Sequence, residues 1–336
     1  YMKVTCQGCK KTFKVADEKI PANKEVKVRC PACRTIIKIS RPADEAGAAV
    51  DSSGQGELTG KPLIDHIVKT SKAMPPMPQI LARATEIIDD ETKGFQDIAE
   101  VLETDQAMAT RVLRIANSAF YGLTVPASSV RQASALLGSQ TLLELITIVS
   151  TSKIMGQALD GYGYSSVNVW KHSLCVAVVS RKLAELKFPE LLSDAFNAGL
   201  IHDSGMVILD EYMAARKNSQ HAPTSDENTL IETEKALFGF DHAELASEFL
   251  TKWNLPAAQT HAIRYHHQPS ASDGDNLAHI LHAAECLCQE GADADQATAS
   301  AESGTFEHLG MDKQDIENLH NEAMEAVEEI ISNYSR

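Results

Sequence analysis

The chain has few aromatic residues, which make up 5% of its 336 positions, and it lacks long apolar runs. No uninterrupted apolar run reaches the roughly 18 residues that a membrane-spanning helix requires, and the polar, cysteine-bearing start is unlike a signal peptide. We therefore expect no membrane span and a cytoplasmic location. Hydrophobic residues still account for 43% of the chain, which supports a sizeable core and excludes a wholly disordered protein.

Positive charge is scarce outside the first forty residues. Residues 1–40 contain ten Lys or Arg and three acidic residues, a net charge of +7, which leaves −22 for the remainder because the whole chain carries −15. General nucleic-acid binding depends on cationic surface, so the acidic remainder is a poor candidate for it. The basic segment offers only Tyr1 and Phe13 for stacking on bases, so nucleic acid is the weakest of the partners that we consider.

Two cysteine pairs within residues 1–40 predict a zinc site. Cys6 and Cys9, and then Cys30 and Cys33, form two C-x2-C motifs separated by twenty residues, and four thiolates at this spacing suit tetrahedral zinc. Forty residues are too few for a self-sufficient core, so we expect a metal ion to hold the segment together. Disulfides or a redox C-x-x-C motif are the alternatives, which the doubled motif and a cytoplasmic location disfavour.

The residues that flank these cysteines predict short β-strands. Apolar and basic residues alternate over 26–29 and over 37–39, as in half-buried strands. The whole of residues 1–40 resembles the small zinc ribbons found at the N-termini of many bacterial proteins. That resemblance implies a structural zinc ion with no catalytic role.

The rest of the chain is predicted to be helical after a linker. Residues 41–60 are rich in Ala, Gly, Ser and acidic residues without any period, which is typical of a flexible linker. Over residues 61–290 apolar residues recur at helical spacing, and no alternating strand of useful length occurs. The predicted fold class is therefore an all-α domain with a small β zinc ribbon at the N-terminus.

Two further segments follow the helical domain. Residues 291–311 are mostly small and predict a loop, and residues 312–336 predict an acidic helix. We expect this helix to pack on the body of the protein through its apolar face, which consists of Ile316, Leu319, Ala323, Val327 and Ile330.

A metal-binding centre is predicted around His202 and Asp203. This pair follows an apolar helical run and precedes a Ser-Gly break and a second apolar run. An imidazole beside a carboxylate at a helix end suits a metal, but a complete site needs more ligands. Further ligand-type residues adjoin apolar helical faces, namely His172, His242, His266, His267, His282 and Glu285. A single histidine on a helix is more often a structural residue than a ligand, so the argument depends on their order along the chain.

That order resembles the HD superfamily of helical metal-dependent phosphohydrolases. Within this superfamily the chain is most similar to the HDOD domain, a regulatory branch common in bacterial signalling. The resemblance covers about residues 64–290. It is carried by Met-Pro-Pro-Met-Pro at 74–78, Leu-Arg-Ile-Ala-Asn-Ser-Ala-Phe-Tyr-Gly at 113–122, Trp-Lys-His-Ser at 170–173, Gly-Leu-Ile-His-Asp-Ser-Gly at 199–205, Gly-Phe-Asp-His-Ala at 239–243 and Tyr-His-His-Gln-Pro at 265–269.

The resemblance implies a set of metal ligands. His172 takes the first His position, His202 and Asp203 take the HD pair, and Glu285 stands where the pattern expects an Asp. In the two-metal relatives further His ligands occur, for which the candidates are His242 and His266. The metal would be Fe, Mn or Mg, and a carboxylate bridging two cations would help them activate water and screen phosphate charge.

Three departures from the pattern count against catalysis. The HD pair of phosphohydrolases is often followed by Gly-Lys, whereas Gly205 is followed here by Met206. Glu in place of Asp at position 285 lengthens the side chain by about 1.5 Å, and catalytic sites tolerate such shifts poorly. The Gly-Tyr-Pro signature of cyclic-dinucleotide hydrolysing relatives is also absent, because Ser165 follows Gly163 and Tyr164. HDOD domains usually lack the full ligand set and are regarded as non-catalytic, although this chain keeps more of that set than most.

We therefore expect a non-catalytic signalling or regulatory protein in which the HDOD domain is an interaction platform and the zinc ribbon an accessory docking element. Its partners would be signalling proteins or a second copy of the chain. The alternative is a metal-dependent phosphohydrolase or phosphodiesterase that uses His172, His202, Asp203 and Glu285, with His202 and Asp203 as the candidate catalytic pair.

Overall fold

The computed structural model describes residues 2–5, 12–15, 25–29, 33, 36–40, 58–71, 77–88, 90, 92–216, 227–289 and 293–335. The chain divides into two compact units, residues 1–57 and residues 58–336, and each is described by itself.

The N-terminal unit contains two β-hairpins. Strand β1 (Met2–Thr5) pairs antiparallel with β2 (Thr12–Val15), and β3 (Glu25–Arg29) pairs antiparallel with β4 (Ile36–Ser40). The strands predicted at 26–29 and 37–39 are thus confirmed. Along the chain, each C-x2-C motif falls in the segment that joins two paired strands.

The predicted zinc ligands are only partly covered by the described residues. Cys6, Cys9 and Cys30 lie outside them, and Cys33 is an exposed turn residue. Most of the predicted linker, residues 41–57, also lies outside them. The four-thiolate site therefore stays a prediction of the sequence.

Apart from one isolated β-bridge between Leu159 and Tyr164, the regular secondary structure of the second unit's described residues is helical, which confirms the all-α prediction. Its helices are α1 (Lys61–Thr70), α2 (Gln79–Ile88), α3 (Phe95–Glu103), α4 (Gln106–Ala116), α5 (Val130–Met155), α6 (Ser166–Lys187), α7 (Leu192–Ile201), α8 (Ser204–Arg216), α9 (Glu227–Phe238), α10 (His242–Lys252), α11 (Ala257–Tyr265), α12 (Asn276–Leu287), α13 (Ala294–Ser300), α14 (Thr305–His308) and α15 (Lys313–Ser335).

Short polar side chains define where many of these helices begin. Each accepts a hydrogen bond from a backbone N–H of the first turn, which would otherwise lack a partner. Asp241 does this at the start of α10, where its Oδ1 accepts from the Glu244 N–H at 2.9 Å. The same arrangement occurs at Asp105, Ser129, Ser165, Asp275 and Asp293.

Helix α6 lies at the centre of the unit, where it packs against α7, α12 and α15. Its contact with α7 is close because Gly199 faces Ala177, and a Cβ at Gly199 would lie 2.9 Å from the Ala177 Cα. Small residues at this crossing therefore allow the two backbones to approach. The end of α7, where His202 follows, is held close to α6, which carries His172.

Among the helices that the structure describes, one, α5, is long and apolar enough to cross a membrane by length and composition. From the sequence alone it is not expected to span a membrane, because polar residues interrupt its apolar runs. In the fold, 61% of its most apolar 18-residue window is buried against other parts of the protein. Gly138, with φ 81° and ψ 170°, also breaks α5 into two helical segments. Helix α5 therefore has the surroundings of a core helix.

Two sequence predictions need correction. Residues 291–311 do not form a loop, because α13 and α14 lie within them. Helix α13 is stabilised by a capping box in which the Gln296 N–H donates to Asp293 and the Asp293 N–H donates to the Gln296 side chain. Ser204 and Gly205 are not a break, because they begin α8; the chain turns at His202 and Asp203 instead.

The predicted C-terminal helix packs on the body. The apolar face of α15 is buried against α6 and α4, with Ile316, Leu319, Ala323, Val327 and Ile330 no more than 3% exposed. Acidic side chains flank this face, and among them Asp315 and Glu322 pair with Lys187 and Lys182 of α6.

A disulfide joins Cys175 of α6 to Cys288 at the end of α12. The two residues are 113 positions apart, so the bond restricts the unfolded chain strongly.

We expect replacement of both cysteines by Ala to lower the free energy of unfolding by about 2–4 kcal/mol, measured by urea denaturation without reductant. Adding dithiothreitol should lower the stability of the wild type towards that of the variant. Equal stabilities without reductant would contradict the expectation.

A buried carboxyl in the core predicts a pH-dependent stability. Burial raises the pKa of Glu144 to about 7, although Arg181, whose Nε lies 3.3 Å away, and Ser193 both favour the charged form. The folded state therefore binds more protons than the unfolded state between the ordinary pKa of about 4.5 and about 7.

This stabilisation is fully present below pH 4.5 and is lost as the pH rises through about 7, a decline of roughly 3 kcal/mol. Urea denaturation at pH 5 and pH 8 should show that Glu144→Gln loses less stability over this interval than the wild type. Parallel losses in the two proteins would contradict the assignment.

Candidate metal centre

His202 and Asp203 lie at the turn between α7 and α8, in the interior of the helical unit. His202 is fully buried, and its Nδ1 donates to the Gly199 carbonyl oxygen at 2.8 Å. Because a carbonyl can only accept, this bond leaves the Nε2 lone pair of the neutral ring free to bind a metal. His202 Nε2 points to two carboxylates, Asp203 Oδ2 at 3.2 Å and Glu285 Oε2 at 2.9 Å.

His266 repeats this arrangement at the end of α11. Its Nδ1 donates to the Ile263 carbonyl oxygen, three residues earlier, at 2.6 Å. The ends of α7 and α11 thus supply free backbone carbonyls that orient the histidine following each helix. The Nε2 atom of His266 is buried without a hydrogen-bond partner, and the buried Nε2 atom of His202 has only the carboxylates of Asp203 and Glu285 beside it. Buried nitrogens of this kind are what a metal ion would satisfy.

The side chain of Asp203 lies between two groups of histidines. Its Oδ2 is 3.6 Å from the His172 Nε2 of α6 and 3.2 Å from that of His202. Its Oδ1 is 3.3 Å from the His242 Nε2 of α10 and 4.0 Å from that of His266. One oxygen therefore faces each group, which is the geometry that a bridging carboxylate requires.

The two groups are each compact enough to hold a cation. The potential ligand atoms of His172, His202 and Asp203 lie within 4.8 Å of one another, as do those of His242, His266 and His267. Glu285 of α12 extends the first group, since its Oε2 is 3.1 Å from the His172 Nε2. In the second group the Nε2 atoms of His242 and His267 are 2.8 Å apart, so one of them must carry a proton that it donates to the other.

The structure thus brings together all six residues proposed for this site, namely His172, His202, Asp203, His242, His266 and Glu285. Imidazole nitrogens and carboxylate oxygens in such a set fit a divalent cation such as Fe or Mn, two of the three metals that the resemblance implies.

The carboxylates of the cluster are held ionised. Burial alone would raise their pKa, but His202 and His242 hold the pKa of Asp203 well below its usual range. His172 and His202 do the same for the pKa of Glu285 against the effect of burial. Two buried negative charges would also attract a metal cation, whose binding releases protons from the histidines.

The histidines differ in their protonation. Burial opposes the charge on His202 and His242, yet neighbouring carboxylates raise the pKa of both rings well above the ordinary value. Burial and the neighbouring histidines lower the pKa of His266 well below it, and burial and His242 lower that of His267 to about 3. His266 and His267 are therefore neutral at physiological pH, the form that binds metals.

Two residues of this site were not assigned from the sequence. His267 adjoins the proposed ligand His266, and this adjacency was the only available signal. Glu234 of α9 is fully buried, and its Oε2 contacts both the backbone N–H and the Nδ1 of His242, at 2.7 and 2.8 Å. No local pattern marks Glu234, because the contact arises where α9 turns back into α10.

His282, which shares a helical face with Glu285, has a structural role. Its Nδ1 donates to the His266 carbonyl oxygen at 2.7 Å, and its Nε2 accepts from the Glu302 N–H at 2.8 Å. Both ring nitrogens are used, so His282 holds the backbone of His266 in place.

Comparison with known proteins places this cluster in a family context. Residues 74–269 match the HDOD domain, and residues 2–38 match a zinc-ribbon domain. A curated protein of Treponema pallidum (strain Nichols) is 23% identical over 206 residues; the match covers 58% of this chain and 37% of the relative, so this chain spans little more than a third of that protein's length.

Solved structures share the helical fold. An HDOD domain protein of unknown function from Geobacter sulfurreducens has a TM-score of 0.65 at 23% identity, over 82% of this chain and 97% of its own. A candidate phosphohydrolase from Shewanella amazonensis SB2B has a TM-score of 0.63 at 19% identity, over 81% and 97%. A candidate signal transduction protein from Marinobacter aquaeolei VT8 has a TM-score of 0.61 at 23% identity, over 82% and 61%.

Close packing at Gly205 holds the second histidine group against the first. A Cβ at Gly205 of α8 would overlap the backbone carbonyl of His242 at the start of α10 and lie 3.1 Å from the Ala246 nitrogen. We expect Gly205→Ala to lower the free energy of unfolding by about 1–3 kcal/mol, measured by urea denaturation, because a backbone segment must move. Gly94→Ala is the matched control, since a Cβ there meets nothing within 4 Å. Equal stability of the two variants would refute this packing constraint.

Proposed function

Because the chain belongs to the HDOD family, we propose that it is a non-catalytic signalling or regulatory protein whose helical unit is an interaction platform. We also propose that the buried cluster binds Fe, Mn or Mg and that the ribbon, with a structural zinc ion, is an accessory docking element. The partners would be signalling proteins or a second copy of this chain.

The observation that carries the metal-binding part is the convergence of seven ligand-type side chains. They come from α6, from the α7–α8 turn, from the start of α10, from the end of α11 and from α12. A bound divalent cation would compensate the carboxylates, satisfy the unpartnered Nε2 of His266 and bind the Nε2 of His202, which now faces only those carboxylates. It would thereby stabilise the arrangement of helices that a partner recognises.

The surroundings of the cluster support a non-catalytic role. Among the described residues, the ion pairs of Asp203 and Glu285 are with histidines and none is with Lys or Arg. Met206 is 5% exposed at the position where phosphohydrolases often have Lys. A basic side chain that could hold a substrate phosphate is thus not found at the described contacts of these carboxylates.

A metal-dependent phosphohydrolase or phosphodiesterase is the second candidate. The position of Asp203 between two ligand groups favours it, because two bridged cations are the arrangement that activates water for attack on phosphorus. In that case His172, His202, Asp203 and Glu285 would hold the metal.

Elemental analysis of the purified protein tests both candidates. We expect the wild type to contain one zinc ion for the ribbon and additional metal for the cluster. The double variant His202→Ala/Asp203→Ala should retain the zinc and lose the additional metal, because it removes ligands of the first group and the shared carboxylate. Neither protein should hydrolyse phosphodiesters or nucleotides with Mn²⁺, Fe²⁺ or Mg²⁺.

The outcomes separate the proposals. Turnover by the wild type that is lost in the double variant would establish the hydrolase instead. A wild type that contains only the ribbon zinc would refute metal binding by the cluster. Circular dichroism of the variant shows whether its helical fold is kept.

A further inference from the structure

Glu234 is a buried carboxylate that belongs to none of the ligand groups described above. It is 0% exposed on α9, and its Oε2 accepts two hydrogen bonds from His242, one from the backbone N–H at 2.7 Å and one from Nδ1 at 2.8 Å. Its Oε1 accepts from the Tyr162 hydroxyl at 2.6 Å. Burying a carboxylate costs several kcal/mol unless hydrogen-bond partners compensate it. The presence of Glu234 at this buried position therefore requires an explanation.

The other oriented histidines of the cluster indicate what that reason is. His202 and His266 each donate from Nδ1 to a backbone carbonyl three residues earlier, which leaves Nε2 facing the centre. His242 has no such carbonyl because it begins α10 rather than following a helix. Glu234 provides the equivalent acceptor, and the Nε2 of His242 then lies 3.3 Å from Asp203 Oδ1.

We propose that Glu234 is the positioning residue of the second histidine group, which keeps the proton of His242 on Nδ1 and presents Nε2 to a metal. Tyr162 assists by holding the Glu234 carboxylate in this orientation. The metal-binding role of the cluster is the premise for this proposal. A carboxylate behind a histidine ligand also increases the electron density that the ring offers to a cation.

A purely structural role for Glu234 is the competing explanation. Its bond to the His242 backbone N–H helps to satisfy the first turn of α10, as does the cap at Asp241. A structural role would affect the stability of the protein but would leave the tautomer of the His242 ring unchanged. The two explanations therefore differ in a property that can be measured.

The first test measures Mn²⁺ affinity of the full chain with zinc in its ribbon, by electron paramagnetic resonance of unbound Mn²⁺. Thiolate sites disfavour Mn²⁺, so the titration reports the histidine cluster. We expect Glu234→Gln to weaken binding about 10–100-fold, and Tyr162→Phe to weaken it less. Glu232→Gln is the matched control, because it removes the same charge from an exposed position on the same helix and should bind as the wild type does.

The second test reads the tautomer of His242 from its ring ¹⁵N chemical shifts, without added Mn²⁺ and at a pH where the ring is neutral. The wild type and Glu232→Gln should carry the proton on Nδ1. Glu234→Gln should shift population towards the Nε2–H form, because its amide can donate to Nδ1. The signal is identified by its loss in His242→Ala.

Each result is decisive for one of the two proposals. Wild-type Mn²⁺ affinity in a folded Glu234→Gln protein, or an unchanged His242 tautomer, would overturn the positioning role. If the wild type itself binds no Mn²⁺, metal binding by the cluster is refuted for that ion, and the tautomer still decides whether Glu234 orients the ring. Tyr162→Phe provides the same comparison if Glu234→Gln does not fold.

Discussion

The helical unit depends on the burial of two carboxylates, Asp203 and Glu285, among histidines. Carboxylates at this depth are tolerated only when positive charge or hydrogen-bond donors surround them, and here imidazoles provide both. These imidazoles come from helices that are far apart in the sequence. Compensating the carboxylate charges therefore also constrains how the helices pack, because each helix must place its imidazole within about 4 Å of a carboxylate oxygen.

Several features of the helices serve this delivery. Two of the candidate ligands, His202 and His266, follow helix ends, where backbone carbonyls orient the rings, and a third, His242, begins a helix beside the carboxylate of Glu234. Glycines at 199 and 205 allow α7 and α8 to approach their neighbours so closely that a methyl group would overlap backbone. The disulfide joins Cys175 of α6, three residues after His172, to Cys288, three residues after Glu285 of α12. It therefore links the two helices about one turn away from the cluster.

The same geometry explains why a metal site and a non-catalytic role are compatible. Metal binding needs only the converging nitrogens and oxygens. Hydrolysis of a phosphate ester needs in addition a means of holding the substrate's negative charge, and within the described part of the chain the carboxylates of Asp203 and Glu285 pair with histidines rather than with Lys or Arg. A centre that binds a cation but has no positively charged side chain to hold a substrate would stabilise one arrangement of helices. Such a centre suits a protein whose surface binds partners.

The sequence alone was sufficient for the features that depend on local pattern. The grouping of His172, His202, Asp203, His242, His266 and Glu285 was instead implied by the resemblance to the HD superfamily. Helical spacing of apolar residues predicts the all-α unit and the buried face of α15, and alternation predicts β3 and β4. These patterns can be recognised in the sequence because they depend only on residue type and on spacing within one helix or strand. The capping box that makes α13 a helix was missed, because small polar residues are equally typical of loops.

Only the tertiary structure decided how the cluster is arranged. The two oxygens of Asp203 face different histidine groups, Glu234 lies behind His242, and Cys175 meets Cys288 across 113 residues. None of these contacts has a local signature, since each depends on the angle at which two helices cross and on the rotamer that packing permits. The sequence thus determined which groups are available for the centre, and the packing of the helices determined which atoms of those groups meet.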